Sequence, residues 1–219
     1  MLLPPDFDHL VIAVPHLAES VEQCHKLLGV EAIPGGAHPG LGTANALLGL
    51  AADDGRGDRD RDIYLEILGP DPEQDPQLAA TRLAGITQAT VQRWATHPVD
   101  FDRLVTAAAR SSEPHVDLGE VYDMTRRTPD GRLLEWRLTR RTPLALGGIQ
   151  PFLIDWKDSP HPARQTMPSI ELERFWATSP DVDTTSRVLR SLGATIEVEA
   201  GVRETLHATL KGPGGSWTI

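Results

Sequence analysis

The 219-residue sequence contains a single cysteine, Cys24. That count excludes an intramolecular disulfide and any multi-thiolate metal cluster, and a reducing, cytoplasmic setting is the simplest expectation. Long hydrophobic runs are also missing: none approaches the ~20 residues that span a bilayer. The opening "MLLPPDFD" is too short and too proline-rich for a signal peptide, so no membrane partner is expected. Basic charge is in deficit, with 21 Lys and Arg against 31 Asp and Glu and a net charge of -10. The two signs are mixed along the chain, whereas nucleic-acid binding needs a concentrated basic face. Nucleic acid is therefore not an expected partner. What is present is ordinary globular composition, 40% apolar and 24% charged, sufficient for a sizeable core in one domain or two small ones.

The informative signal is internal repetition. "HLVIAVP" reads as a strand, followed by a helix with Leu17, Val21, Cys24 and Leu28 on one face and Gly29 as its C-cap. "VEAIPGG", "GTANALLGLA" and "DIYLEILGP" then read as three strands. A second round starts at "TVQRWATHP", and its helix has Phe101, Leu104, Val105 and Ala108 on one face. It runs through "VYDMTRRTPDGRLLEWRLTRR", with Pro129-Asp130-Gly131 as a hairpin turn, to the strand "QPFLIDWK". The third round, from "IELERFWATSPD", has Ser179 as helix cap, Pro180 at the first helical position, Val182, Leu189 and Leu192 as the buried stripe, and Gly193 as the stop. "ATIEVEAG", "ETLHATLKG" and "GSWTI" supply its strands. Proline-bearing connectors, "GPDPEQDPQ" and "KDSPHPARQTMP", separate the rounds. The pattern predicts an α+β protein of three βαβββ-like units.

The stretches "DHLVIAVPHL", "GGAHPGLGTANALLGL" and "YLEILGP" resemble the first unit of glyoxalase-like members of the vicinal oxygen chelate superfamily, and "PDGRLLEWRL" with "PFLIDWKDSPHP" resembles the second. The resemblance implies a glyoxalase-like domain over residues 6–165, with units 6–70 and 86–158 curling their mixed sheets around a cleft. Residues 169–219 would be a compact third unit packed on it. It further implies a small-molecule ligand and, in metal-using members, ligands for a divalent metal from the first and last strands of each unit.

Strand parity places candidate residues in that cleft. His9, Val11 and Ala13 share one face of the first strand, opposite Leu10, Ile12 and Val14; Tyr64, Glu66 and Leu68 share one face of the last. Imidazole and carboxylate are ligand types that first-row divalent metals accept, although His9 and Glu66 are equally a buried hydrogen-bonded pair. Aligning Pro15 with Pro98 brings Gln92 opposite His9, and "PFLIDW" brings Asp155 near the place of Glu66. The implied metal set is thus His9, Glu66, Gln92 and Asp155. A one-residue slip would turn Asp155 out of the cleft, where it would pair with Lys157 or Arg137. His161 is another group able to swing in from its connector, although "PHP" also reads as a rigid surface turn. His38 and Asn45, on the glycine-rich "GGAHPGLGTAN", flank the cleft mouth as substrate-binding groups together with Tyr64, or else belong to a flexible connector. One or two of Trp94, Trp136, Trp156 and Trp176 could wall the pocket.

"GRGDRDRD" reads as a solvated loop, and "KGPGGS" lacks the lysine–hydroxyl ending of a phosphate loop, leaving a tight turn. Cys24 is a buried, inert thiol. Two functions follow: a metal-dependent lyase or isomerase in which Glu66 or Asp155 moves a proton, or a metal-free protein that sequesters an aromatic or antibiotic-like ligand. Glu173 falls near the place of His9 in the third unit, and "SWTI" carries no carboxylate, so that unit is structural. Its strand edges would be covered by the second unit or by a second copy of the chain in a homodimer.

Overall fold

Strand β1 (Phe7–Ala13) is buried along its whole length. Its apolar alternation sends Leu10 and Ile12 into the main core, and Val14 just beyond it joins them. The chain then enters helix α1 (Leu17–Leu28), whose Cys24 and Leu28 close the same core. Gly29 ends the helix in the left-handed conformation, φ 72°, which costs glycine little because it has no Cβ. Strands β2 (Ile33–His38), β3 (Thr43–Ala51) and β4 (Tyr64–Pro70) complete the round in the spatial order β1-β4-β3-β2. The computed structural model describes residues 3–52, 62–128 and 131–219. All but the last residue of "GRGDRDRD", and Pro129 and Asp130 of the expected hairpin turn, lie outside the described residues.

A connector containing the short helix α2 (Pro76–Ala79) leads to the second round. Strand β5 (Thr90–Thr96), helix α3 (Phe101–Arg110) and strands β6 (Glu120–Arg127), β7 (Leu133–Arg140) and β8 (Phe152–Asp155) repeat the same order, β5-β8-β7-β6. Antiparallel pairing of β1 with β5 joins the two arcs into one curled sheet. Strands β2 and β6, at the far ends of the arcs, approach each other across the concave face. The architecture is α+β with repeated βαβββ rounds, as glyoxalase-like folds require.

The third round keeps the element order but not the pairing. It comprises β9 (Ser169–Ser179), α4 (Val182–Ser191), β10 (Glu197–Ala200), β11 (Thr205–Gly212) and β12 (Gly215–Thr218). Here the first strand is internal, between β10 and β11, so the order is β10-β9-β11-β12. Asp181, not Ser179, caps α4 by accepting from Thr184 N–H at 2.9 Å, and Ser179 accepts from the Asp181 N–H one step earlier. Strand β9 adds parallel to β3 of the first unit, Gly49–Ala51 against Ser169–Glu171. The turn in "KGPGGS" sits on the end of α1, with Gly214 N–H donating to the Leu28 carbonyl at 2.9 Å. Glu173 is exposed and pairs with Lys211 at 3.0 Å. No helix among the described residues is long and apolar enough to cross a membrane.

The third round shares one core with the others. Phe175 is 1% exposed, and its ring lies 5.8 Å from Phe7 of β1 and 5.3 Å from Trp94 of β5. Phe175→Ala should therefore lower the stability of the entire chain by about 3–5 kcal/mol. Calorimetry should show one transition shifted down by roughly 10 °C; a separate early transition with the main one unmoved would show an independent third unit.

Candidate functional site

The concave face of β1, β4 and β3 carries a buried polar cluster. His9 stands opposite Tyr64, and Val11 opposite Glu66, in the parallel β1–β4 ladder. Period-2 alternation puts His9, Tyr64 and Glu66 on one face. His9 Nε2 lies 3.8 Å from Glu66 Oε2, and His38 Nε2 lies 3.8 Å from Glu66 Oε1. Asn45 Nδ2 donates to Glu66 Oε1 at 2.6 Å. The Tyr64 ring stacks on the His9 ring with centroids 4.5 Å apart. His38, the last residue of β2, and Asn45, within β3, thus reach the same carboxylate as His9. Gly35 is required there, because a Cβ at that position would collide with the Asn45 amide.

Asp8 organises this cluster, and the sequence reading gave it no role. Although β1 should turn it away from the cleft, its carboxylate is 2% exposed and receives three hydrogen bonds. They come from His9 Nδ1 at 2.5 Å, Trp156 Nε1 at 3.0 Å and His161 Nε2 at 3.0 Å. Burial alone would push the Asp8 carboxyl up, but the hydrogen bonds and charges of His161 and His9 outweigh it and hold the group far below the usual carboxylate range. An ionised carboxylate only accepts, so His9 carries its proton on Nδ1 and turns Nε2 toward Glu66. His161 does swing in from its connector, to Asp8.

Two of the four residues expected to hold a metal do not join the cluster. Asp155 is on the opposite face of β8: Phe152, Ile154 and Trp156 pack with the cleft-lining apolar group, while Asp155 accepts from Arg137 Nε at 2.8 Å and from Lys157 N–H at 2.9 Å. Arg137 in turn reaches Asp102 of α3, on the outer surface. The slip of one residue follows from apolar Leu153, which claims the main core and turns both its neighbours away from it and Asp155 outward with it. Gln92 sits at a bulge between the Val11–Arg93 and Ile12–Val91 pairs. Its Oε1 accepts from Arg93 Nε at 3.0 Å and Nη2 at 2.5 Å, and its Nε2 donates to the Arg82 carbonyl at 2.9 Å. Its oxygen is committed to a cation and is not offered to another. Among the described residues no three His, Cys, Asp or Glu side chains are grouped to hold a metal ion. The four-donor set does not fit.

Arginine supplies positive charge in its place, which the sequence reading missed. Arg82, from the connector, and Arg126, on β6, both act on the Glu66 carboxylate, and Arg93 faces the same interior. The available signal was the alternation in "VYDMTRR", where Arg126 shares a face with Met124. Trp136 and Trp156 wall the other half of the cleft with Leu134 and Phe152. Trp94 belongs to the main core, and Trp176 stacks on His207 of the third round at 5.0 Å. Burial pushes Glu66 up, yet His38, His9, Arg82 and the Asn45 hydrogen bond bring it below its ordinary value. It is ionised at neutral pH.

Residues 7–193 match the model of the glyoxalase-like domain family. The chain belongs to that family. No curated protein matches it. Among solved structures it is similar to a Streptomyces coelicolor methylmalonyl-CoA epimerase variant bound to 2-nitronate-propionyl-CoA, with 25% identity, 68% of this chain and 95% of that one covered, and TM-score 0.44. It is also similar to the Mycobacterium tuberculosis methylmalonyl-CoA epimerase, with 20% identity, 73% and 92% covered, and TM-score 0.44. A third is a mutant 4-hydroxymandelate synthase from Streptomyces coelicolor, with 15% identity, 99% and 62% covered, and TM-score 0.47. This glyoxalase-like cleft therefore has to be read from its own side chains.

One of those side chains makes stability depend on pH. Burial, reinforced by Arg82 and opposed by Glu66, lowers the His38 imidazole to about 4. An unfolded imidazole titrates near 6.5, so between about pH 6.5 and 4 the unfolded chain binds the extra proton. Stability is intact above that window and falls as pH drops through it, by roughly 3 kcal/mol for this group. Denaturant unfolding at about pH 7.5 and about pH 4.5 should show a larger loss for the native protein than for His38→Gln; equal losses would contradict the assignment.

Proposed function

We propose that this glyoxalase-like protein is a small-molecule enzyme that moves a proton on a carbon beside an oxygenated group. Glu66 is the base and His9 its partner. The observation that supports this is the Asp8–His9–Glu66 alignment, with His9 held through Nδ1 at 2.5 Å and its Nε2 facing Glu66 at 3.8 Å. The ionised Glu66 carboxylate is able to take a proton, and with His9 Nε2 only 3.8 Å from Oε2 a reacting carbon would sit beside the pair, not between them. Asn45 Nδ2–H, bonded to Glu66 Oε1 at 2.6 Å, fixes the carboxylate so that Oε2 is the atom that takes it. Tyr64, whose burial holds the phenol well above its ordinary value, stays neutral and keeps the His9 ring in plane. The developing negative charge is met by fixed cations in a water-poor interior, where such contacts are strongest. A proton returned to the neighbouring atom makes the reaction an isomerisation; loss of a leaving group makes it a lyase reaction.

Solvent-deuterium exchange into a panel of small hydroxy-ketones, thioesters and oxo-acids, followed by NMR, tests this reading. Glu66→Gln should slow exchange by about 10²–10⁴-fold with the fold retained. Exchange at the native rate in that variant would remove Glu66 from the reaction. Binding without exchange in any compound would favour the ligand-sequestering alternative. Elemental analysis of tag-free protein decides the metal, which this reading expects below one per chain. One divalent ion per chain, lost on His9→Ala, would return His9 and Glu66 to the role of ligands.

A further inference from the structure

The chain carries ten more acidic than basic residues, and four of its solvent-facing arginines pair with them. Arg137 pairs with Asp102 and Asp155, Arg141 with Asp117, Arg164 with Asp62, and Arg174 with Glu197 and Glu199. Three cleft arginines differ, buried Arg126 and half-buried Arg82 and Arg93. Arg126 is 6% exposed, and its Nη1 is buried without a hydrogen-bond partner. Arg82 Nε is likewise buried and unpartnered, and its Nη1 has only a long 3.5 Å contact with Thr43 Oγ1. Arg93 is held by the neutral Gln92 amide. None of the three has an ion pair with a described carboxylate.

Leaving a guanidinium buried and unpaired is costly, by several kcal/mol for an unsatisfied charge. Among the described residues Glu66 is the carboxylate that acts on all three, and it is already shared among Asn45, His9 and His38. Asp8, the other ionised carboxylate of the cluster, is taken up by His9, Trp156 and His161, so one carboxylate stands against three guanidinium groups and positive charge is in excess beside them.

We propose that the cleft binds an organic acid whose carboxylate is held by Arg126 and Arg82. This inference rests on the proton-transfer reading above and names its substrate class. Guanidinium N–H groups form a planar fork that matches a carboxylate, and the unpartnered Nε of Arg82 and Nη1 of Arg126 are the donors. The remainder of the ligand is apolar, because Arg126 stands opposite Leu134 in the β6–β7 ladder and Leu134 packs with Trp136, Trp156 and Ile154. A carboxylate anchored there turns the neighbouring carbon toward Glu66 and His9, and that carbon, flanked by carboxylate and oxygenated group, is the acidic one. Arg82 and Arg126 are substrate-binding groups in this account, and specificity for acids over amides or esters follows from them.

Calorimetric titration of the full chain tests this with three probes: hexanoate, the neutral isostere hexanamide, and inorganic phosphate. Hexanoate should bind and hexanamide should bind at least about tenfold more weakly, since the amide brings no negative charge and one acceptor oxygen instead of two. Arg126→Gln should weaken hexanoate at least about tenfold, and Arg126→Lys should recover part of the loss. Should Arg126→Gln fail to fold, Arg82→Gln and the acid–amide contrast on the native chain carry the same decision. Equal binding of acid and amide, or unchanged hexanoate binding in a folded Arg126→Gln, would overturn the proposal. Phosphate binding as tightly as hexanoate would overturn the carboxylate assignment in favour of a phosphate ester. Glu66→Gln separates the two readings, because it should slow exchange by about 10²–10⁴-fold while retaining hexanoate binding. Lost exchange without acid binding removes only the substrate class, and acid binding with native exchange in Glu66→Gln removes only the proton-transfer reading.

Discussion

Strand β1 is hydrogen-bonded on both edges, parallel to β4 of its own unit and antiparallel to β5 of the next. With both faces buried, its register is fixed: a slip of one residue would drive His9 into the main core and Leu10 into the cleft. Everything functional hangs on that constraint. It sets His9 against Tyr64 in the ladder, brings Glu66 one pair further along, and leaves Asp8 at the strand entry, where the end of the second unit reaches it. Trp156 and His161 meet Asp8 from 148 and 153 residues away in sequence. A single buried carboxylate thereby ties the first strand of the first unit to the last segment of the second.

The concave face divides by chemistry. The side formed by β1, β3 and β4 holds hydrogen-bonded, titratable groups; the side formed by β7 and β8 holds tryptophan and aliphatic side chains. Buried polar networks strengthen one another when satisfied and are costly when they are not. Here the network around Asp8 is satisfied and the one around the arginines is open. That contrast separates a positioning element from a binding element. Asp8 has its donors and fixes His9, whereas Arg82 and Arg126 have donors to spare. Metal-ion chemistry would need oxygen donors at Gln92 and Asp155, and both are spent on arginines, Arg93 and Arg137.

Most of the fold was legible in the sequence because it rests on local signals. Alternation in "HLVIAVP", the glycine stop at Gly29 and the repeated strand–helix–strand order need no distant partner to be read. Parity within each strand, joined to the family resemblance, places His9 and Glu66 on one face. What was not legible depended on long-range pairing. Asp155 was misplaced because four-residue β8 shows too little alternation to fix its face, and the core side of Leu153 decided it. The order of the third round was hidden since β9 pairs on both edges, a choice that composition does not record. The arginine cluster escaped notice because Arg82 comes from a connector and Arg93 lies beside a bulge, where period-2 counting fails. Asp8 falls by parity on the face of Leu10 and Ile12, away from the cleft, and its partners Trp156 and His161 come from far along the chain.

The account turns on Asp8 fixing the proton of His9 on Nδ1, so that Nε2 is the atom presented to Glu66 and to the ligand. Nitrogen NMR of histidine-labelled protein, with His9 assigned by comparison to His9→Gln, reads this directly. The account predicts that His9 Nδ1 is protonated and hydrogen-bonded across the neutral pH range, with a strongly downfield proton from the 2.5 Å contact to Asp8. A His9 whose neutral form carries its proton on Nε2 and leaves Nδ1 bare would contradict it.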